Sequence, residues 1–361
     1  MSNPLDLHDL RARVQITVDD HLDAQGAVLA EVGEEMLPLL DAVSALLGGG
    51  KRLRAAFLYW GYRAGGGADS DAVVRAATAM EFFQAAALLH DDVMDDSDTR
   101  RGLPAAHRRL ATEHAEQGWT GSSDRFGTAG AILAGDLCLT WSDELFATSG
   151  LDPEELARGR VVFDRMRTQL MGGQFLDVLE SARGWAELDS SQRIAQARKV
   201  IRYKSAKYTV EHPLLIGASA AGVGEADLQC LSSFGLDLGE AFQLRDDILG
   251  VVGDPSETGK PAGDDLREGK RTVLVAQALD ASGPAETVLF DKLLGLPDLD
   301  ADGVEELRAV LQSTGALDRV EEMILDLTGS ARAALHSASG LDGEAVATLD
   351  ALIDFSTARS A

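Results

Sequence analysis

Along most of the chain apolar residues recur at helical spacing, and no run shows the strict alternation of a half-buried strand. Leu7, Leu10, Val14, Ile16, Val18 and Leu22 place a first helix over residues 5–33. A second follows over 34–47 and stops at Gly48-Gly49-Gly50; a third over 51–64 ends at Gly65-Gly66-Gly67. Residues 71–96 are almost continuously apolar and predict the central buried helix, roughly 39 Å long at 1.5 Å per residue. Gly102-Leu103-Pro104 turns the chain, and 117–127, rich in Gly and Ser, reads as a loop. An apolar helix is expected over 128–149. Asp152-Pro153 starts the next, which runs through Gly172-Gly173 to about 183. Helices over 190–204 and 205–222 follow, Pro213 kinking the second. Residues 225–252 predict a second long buried helix, 253–269 a loop, and 271–361 four or so shorter helices. With no repeat and no βαβ spacing, the expectation is one all-α domain spanning residues 1–361.

Composition agrees with that class. The chain of 361 residues is 45% hydrophobic, only 5% aromatic, and rich in Ala and Leu, which favours helix over strand. Its formal net charge of −26 repels nucleic acid and anionic lipid surfaces, so neither is an expected partner. Cys138 and Cys230, with no CxxC spacing, read as buried free thiols. The N-terminus lacks the basic-then-apolar pattern of a signal segment. The longest low-polarity run, 213–224, is too short to span a bilayer. A cytoplasmic protein without stable membrane insertion is expected.

Chemistry concentrates at the end of the 71–96 helix, in EFFQAAALLHDDVMDDSDTRRG (residues 81–102). Asp91 and Asp95 stand four apart, on one helix face at a spacing of roughly 5–6 Å. Asp92, Asp96 and Asp98 add to an acidic crown that opposes the helix dipole. Such a crown is either a solvated helix end or a site for a hard cation such as Mg²⁺. A second pair, Asp246-Asp247 in FQLRDDILG, favours the cation. Lys51, Arg54, Arg100, Arg101, Lys204, Lys260 and Lys270 stand out against the acidic background, and divalent metal with Lys and Arg is what a diphosphate requires.

Taken in order, GGGKRLR (48–54), the 81–102 segment, GDL (135–137), GGQFLD (172–177), YKSAKYT (203–209), FQLRDDILG, GDPSETGK and GKRT (269–272) resemble the trans-isoprenyl diphosphate synthases, or polyprenyl synthetases, and most the geranylgeranyl diphosphate synthases. The likeness covers about residues 40–275. It implies long, mostly antiparallel helices around a deep central cavity, and a homodimer. It also implies Mg²⁺-dependent head-to-tail condensation of isopentenyl diphosphate with C5, C10 or C15 allylic diphosphates, with three ions per site. Carried over by position, Lys51, Arg54, Gln84 and Arg101 match the isopentenyl diphosphate site. Arg100, Lys204, Ser205, Gln243, Lys260 and Lys270 match the allylic diphosphate contacts. Asp91, Asp95 and Asp246 match metal ligands, with Asp92 and Asp247 outside them. Asp91, Asp92, Asp95, Arg100, Lys204, Asp246 and Lys260 form the expected catalytic set. Gln174 and Asp177 are expected on the cavity wall, supporting the Lys204 region, and His90 and His107 are expected to orient backbone or carboxylates.

Three positions depart from the family pattern: Gly250 where many relatives carry Asp, Ala55 for Pro, and Ser205 for Thr. The first leaves the second motif short of a carboxylate, with Asp254 nearby. Where a bulky aromatic before the first Asp would stop growth at C15, this chain has Ala86 and Ala87, and Phe83 lies one turn deeper. That predicts a C20 product, with C15 or C25 and longer as alternatives. A terpene cyclase needs no second diphosphate site, against which Lys51, Arg54 and Arg101 argue. A non-catalytic subunit of a heteromeric synthase would have lost aspartates that are intact here.

Overall fold

The computed structural model describes residues 4–185, 187–253, 263–296 and 298–357. The chain divides into two compact units, one built from residues up to Gly159 together with Ile216–Gly222, the other from Arg160–Leu215 with Val223 onward.

In the first unit α1 (Leu10–Ala30), α2 (Leu37–Leu47), α3 (Leu53–Ala64), α5 (Ala106–Glu116) and α6 (Ser123–Ala147) surround α4 (Asp71–Met94). Ser70 caps α4, its hydroxyl accepting from the Val73 N–H at 3.4 Å. Burial then extends round nearly the whole helix, from Val73 to Leu89. Phe82 meets His21 edge-on at 5.1 Å between centroids and Trp141 at 6.2 Å, and Ser142 Oγ donates to the Ala79 carbonyl at 2.7 Å. By length and hydropathy α4 could cross a membrane, which corrects the expectation that 213–224 is the longest apolar run; its apolar window is 72% buried within the protein, as befits a core helix.

The end of α4 is made by local chemistry. Asp96 takes the left-handed conformation (φ 53°), and the Ser97 N–H returns to the Asp92 carbonyl at 2.9 Å, a Schellman closure. Beyond it β1 (Thr99–Arg100) and β2 (Leu103–Pro104) pair antiparallel around Arg101 and Gly102. Both turn residues have positive φ (54° and 75°), the signature of a type I′ hairpin. Helix α5 was not foreseen in the sequence, and α6 starts at Ser123 rather than 128 because Ser122 caps the Arg125 N–H.

The second unit holds α10 (Glu225–Val252), α7 (Pro153–Ala182) from Arg160 onward, and a continuous helical run of α8 (Ser190–Val200), a π-helical stretch (Ile201–Glu211) and the start of α9 (His212–Ala220), whose residues from Ile216 belong to the first unit. The expected break between 204 and 205 is absent; the helix widens over eleven residues instead, just before Pro213. Proline cannot donate to the turn behind it, and the wider winding absorbs that loss. The remainder is α11 (Asp264–Arg267), α12 (Val273–Ala281), α13 (Pro284–Leu293), α14 (Ala301–Ser313), α15 (Ala316–Ser337) and α16 (Gly343–Thr357), of which α15 is long rather than short. Leu244, Ile248, Val273, Leu274, Leu307 and Val320 are among the residues of its shared core. Cys138 is buried, and burial pushes its thiol pKa up; Cys230 is only half-buried, its sulfur accepting from Ser337 Oγ at 3.3 Å.

Candidate active site

In the C-terminal half of α4, Gln84, Ala87, Leu88 and Asp91 are half-buried and form a stripe at helical spacing that continues to Asp95 at the C-cap, with His90 and Val93 half-buried beside it. Asp92 points the other way, 1% exposed, and accepts from Arg100 Nε at 2.8 Å. Arg100 also reaches Asp91 Oδ2 at 3.6 Å. Arg108 pairs with Asp96 and Asp98, each at 2.9 Å. The crown at an unfavourable helix end is thus offset by two arginines. His90 Nε2 lies 3.1 Å from the Ile132 carbonyl and 3.6 Å from Asp136, and His107 lies 3.9 Å from Asp96 with its pKa lowered, chiefly by burial.

Beside this stripe the glycine-rich turn between α2 and α3 carries Lys51, exposed, and Arg54, half-buried. The hairpin brings Arg101 to the same turn: its Nη1 donates to the carbonyls of Leu46 (2.7 Å) and Gly49 (3.2 Å), acceptors left over at the end of α2. The pKa of Arg101 is lowered, first by burial, then by Arg52, Arg100 and Arg54, with Glu81 opposing. Arg52, Arg54 and Arg101 gather here around Glu81, with Arg100 beside them on Asp92 and Asp91, a concentration of cations suited to an anion. Arg52, Asp96 and Arg101 account for three of the five non-glycine residues with positive φ among the described residues, so backbone strain also gathers here.

The second unit supplies another charged cluster. Lys204 Nζ donates to Asp177 Oδ2 on α7 at 2.6 Å, and Ser205 Oγ donates to Gln243 Oε1 on α10. Gln243 Nε2 in turn donates to Asp247 Oδ1 at 2.8 Å. Gly173 sets this arrangement, because a Cβ there would come within 2.5 Å of Lys204 N and closer still to Tyr203. Only glycine lets α7 approach the π-helical backbone that closely. Asp246 is exposed, whereas Asp247 is 6% exposed. Burial first, then Asp265 and Asp246, push the Asp247 pKa up to about 8. Lys270 pairs with Asp265 at 3.3 Å and with Glu268.

Two expectations need correction or restriction. Ala86 is fully buried, so of the two alanines only Ala87 belongs to the exposed stripe, and Phe83 below it is 1% exposed. Lys260 and Asp254 lie outside the described residues. Asp265, which sequence reasoning missed, stands against Gly250, where a Cβ would run into its carboxylate. Arg52 and Glu81 were missed as well; an arginine inside a loop motif and a glutamate inside an apolar helix were the available signals.

Among the described residues no three acidic, imidazole or thiol side chains gather into a complete metal shell. Asp91 and Asp95 in the first unit, and Asp246 in the second, instead offer hard carboxylate oxygens in ones and twos, the kind of donor that Mg²⁺ supplements with water and phosphate. The residues present fit such an ion.

The comparisons agree with this chemistry. The polyprenyl synthetase family model matches residues 38–311. The geranylfarnesyl diphosphate synthase of Aeropyrum pernix is 33% identical over 315 residues, 86% of this chain and 91% of the relative. The nonaprenyl diphosphate synthase of Mycobacterium tuberculosis is 31% identical over 354 residues, 96% and 92% of the two chains. A crystal structure of the Corynebacterium glutamicum geranylgeranyl pyrophosphate synthase, complexed with isoprenyl diphosphate and magnesium, superposes with a TM-score of 0.91 at 38% identity, covering 97% of this chain and 99% of that one. With two aspartate motifs on all-α scaffolding, a surplus of arginine beside the first, and a match over most of its length, the chain belongs to the polyprenyl synthetase family of trans-prenyl diphosphate synthases.

Proposed function

We propose that the protein condenses isopentenyl diphosphate head-to-tail with allylic diphosphates of C5, C10 or C15 and releases mainly geranylgeranyl diphosphate, C20. The observation that carries this reading is the group of Arg52, Arg54 and Arg101 around Glu81, with Arg100 beside it, within the same unit as Asp91 and Asp95. Lys51, Arg54, Gln84 and Arg101 bind the isopentenyl diphosphate. Arg100, Lys204, Ser205, Gln243, Lys260 and Lys270 hold the allylic diphosphate.

Asp91, Asp95 and Asp246 would hold Mg²⁺, which when bound neutralises charge developing on the departing diphosphate. The chain's own groups do the rest. Arg100 and Lys204, each paired with a carboxylate here, can exchange that partner for phosphate oxygens. Until then Asp92 and Asp177 keep those cations oriented. Asp247, held protonated by burial, spares the second motif one negative charge and lets Gln243 stay anchored.

The names of relatives extend to longer products, geranylfarnesyl and nonaprenyl diphosphate, and they make a product longer than C20 the second reading. We further propose a cytoplasmic homodimer in which residues 1–361 act as one catalytic domain; the supporting observation is the extent of the family match. Incubation of the purified chain with isopentenyl diphosphate, a labelled starter and Mg²⁺, followed by chromatographic sizing, tests the reading. Turnover undiminished by EDTA would exclude it, and a chain inactive alone would favour a partner-dependent subunit.

A further inference from the structure

One residue of the glycine-rich turn has no part in the substrate assignment, yet it is the most heavily engaged. Arg52 is 4% exposed and takes the left-handed conformation (φ 55°, ψ 35°) at the start of α3, a backbone state that side chains with a Cβ rarely adopt. Its guanidinium donates to acceptors on three different helices: Glu81 Oε2 of α4 at 3.1 Å, the Leu47 carbonyl closing α2, and Gln15 Oε1 of α1. Glu81 is itself 7% exposed, and its other oxygen accepts from the Ala55 N–H in the first turn of α3 at 3.3 Å. From the other side Arg101 holds the Leu46 and Gly49 carbonyls. Lys51 and Arg54 therefore flank a residue whose position is set at both ends, by a buried ion pair and by helix-end carbonyls.

We propose that Arg52 and Glu81 are positioning residues for the isopentenyl diphosphate subsite. Arg52 fixes the left-handed turn from which Lys51 and Arg54 project. Glu81 supplies the counter-charge that allows Arg52, Arg54 and Arg101 to stand together before any diphosphate arrives. Without Glu81 the three cations repel, and without Arg52 the turn relaxes toward ordinary backbone, so that in either case binding energy is spent on re-forming it. The inference rests on the assignment of Lys51, Arg54 and Arg101 to isopentenyl diphosphate.

Steady-state kinetics of the full chain, varying each diphosphate in turn, tests it with Arg52→Lys, Arg52→Met, the double variant Arg52→Met/Glu81→Gln, and Lys51→Ala. The double variant leaves no orphaned buried charge and serves if Arg52→Met alone does not fold. Loss of Arg52 is expected to raise KM for isopentenyl diphosphate at least tenfold while KM for the allylic substrate stays within twofold. Arg52→Lys keeps the charge opposite Glu81 but not the planar fork, and should fall between, with a rise of several-fold. A role in stability alone would lower Tm and the active fraction with both KM values unchanged; that result, or an equal rise of both, overturns the proposal. If Lys51→Ala raises the isopentenyl KM and the Arg52 variants do not, positioning fails and the substrate assignment stands. If Lys51→Ala raises only the allylic KM, the assignment itself fails.

Discussion

The carboxylate of Asp265 fills the space into which a side chain at Gly250 would project. The second aspartate motif, which ends in glycine where many relatives carry Asp, is therefore not merely short of a carboxylate. A carboxylate stands there already, brought from α11 and paired with Lys270 at 3.3 Å. Gly250→Ala should be close to neutral, since helix propensity gains about 1 kcal/mol and Asp265 can swing aside. Gly250→Asp puts two carboxylates in contact beside Asp247 and should destabilise by about 1–3 kcal/mol. Thermal unfolding checks this. A Gly250→Asp protein as stable as wild type at pH 8 would show that the space is open.

Asp247 gives a pH dependence with a definite sign. Its pKa is raised from 3.8 to about 8 in the fold, by burial first and by Asp265 and Asp246 next. Below about pH 4 folded and unfolded chains both hold this proton. Between there and about 8 only the folded chain does, so stability falls with each step up in pH and the whole cost is present above about 8. Asp247→Asn cannot ionise and can still accept from Gln243. In metal-free protein its Tm should gain on wild type steadily from pH 5 to pH 8. Parallel curves over that range would contradict the assignment.

Adjacent glycines on α7 should behave oppositely. A Cβ at Gly172 meets nothing within 4 Å, so Gly172→Ala should be neutral or stabilise by up to about 1 kcal/mol. At Gly173 the obstacle is the backbone of Tyr203 and Lys204, which cannot swing aside. Gly173→Ala should cost about 1–3 kcal/mol. It should also raise KM for the allylic diphosphate, because it pushes Lys204 away from Asp177. Calorimetry and kinetics on the two variants check both parts. Equal Tm values would mean that α7 and the π-helical stretch are not in contact there.

The contrast between what could and could not be read in the sequence follows the range of the interactions. Helices α4 and α10 were legible because long apolar runs specify them, with a Ser70 cap on α4 and glycines bounding α10; the 225–252 boundary agrees at both ends. Helix α5 escaped because Ala106–Glu116 is mostly polar, and only His107, Leu110, Ala111 and His114 are buried. The π-helical winding over Ile201–Glu211 depends on packing and on Pro213, not on composition. Among site residues, the spacing of Asp91 and Asp95 carried its own meaning, whereas Asp177 was expected only near Lys204, without a signal for the bond itself. Arg52–Glu81 and Gly250–Asp265 are contacts between residues distant in sequence, with no periodic signal to betray them.

Product length turns on which side chains of α4 face open space. Of the two alanines before Asp91, Ala87 lies on the exposed stripe with Gln84, Leu88 and Asp91, while Ala86 is fully buried. An aromatic at 87 would stand in the path of a chain growing from the metal end, about one turn, or 5.4 Å, below Asp91. Ala87→Phe should therefore shorten the main product, from the proposed C20 to C15, with little loss of stability. Ala86→Phe adds a ring where there is no room, and should cost about 1–3 kcal/mol before any effect on length. Phe83, 1% exposed and a turn deeper, is the candidate floor. Phe83→Ala removes it and should lengthen products past C20, at a stability cost of about 3–5 kcal/mol for an emptied aromatic site. Chromatographic sizing with excess isopentenyl diphosphate and a C5 or C10 starter, alongside Tm for each variant, separates the two effects. Wild-type product already at C25 or longer would mean that Phe83 does not close the path, and would move the floor to a different wall while leaving the aspartate and arginine assignments as they are.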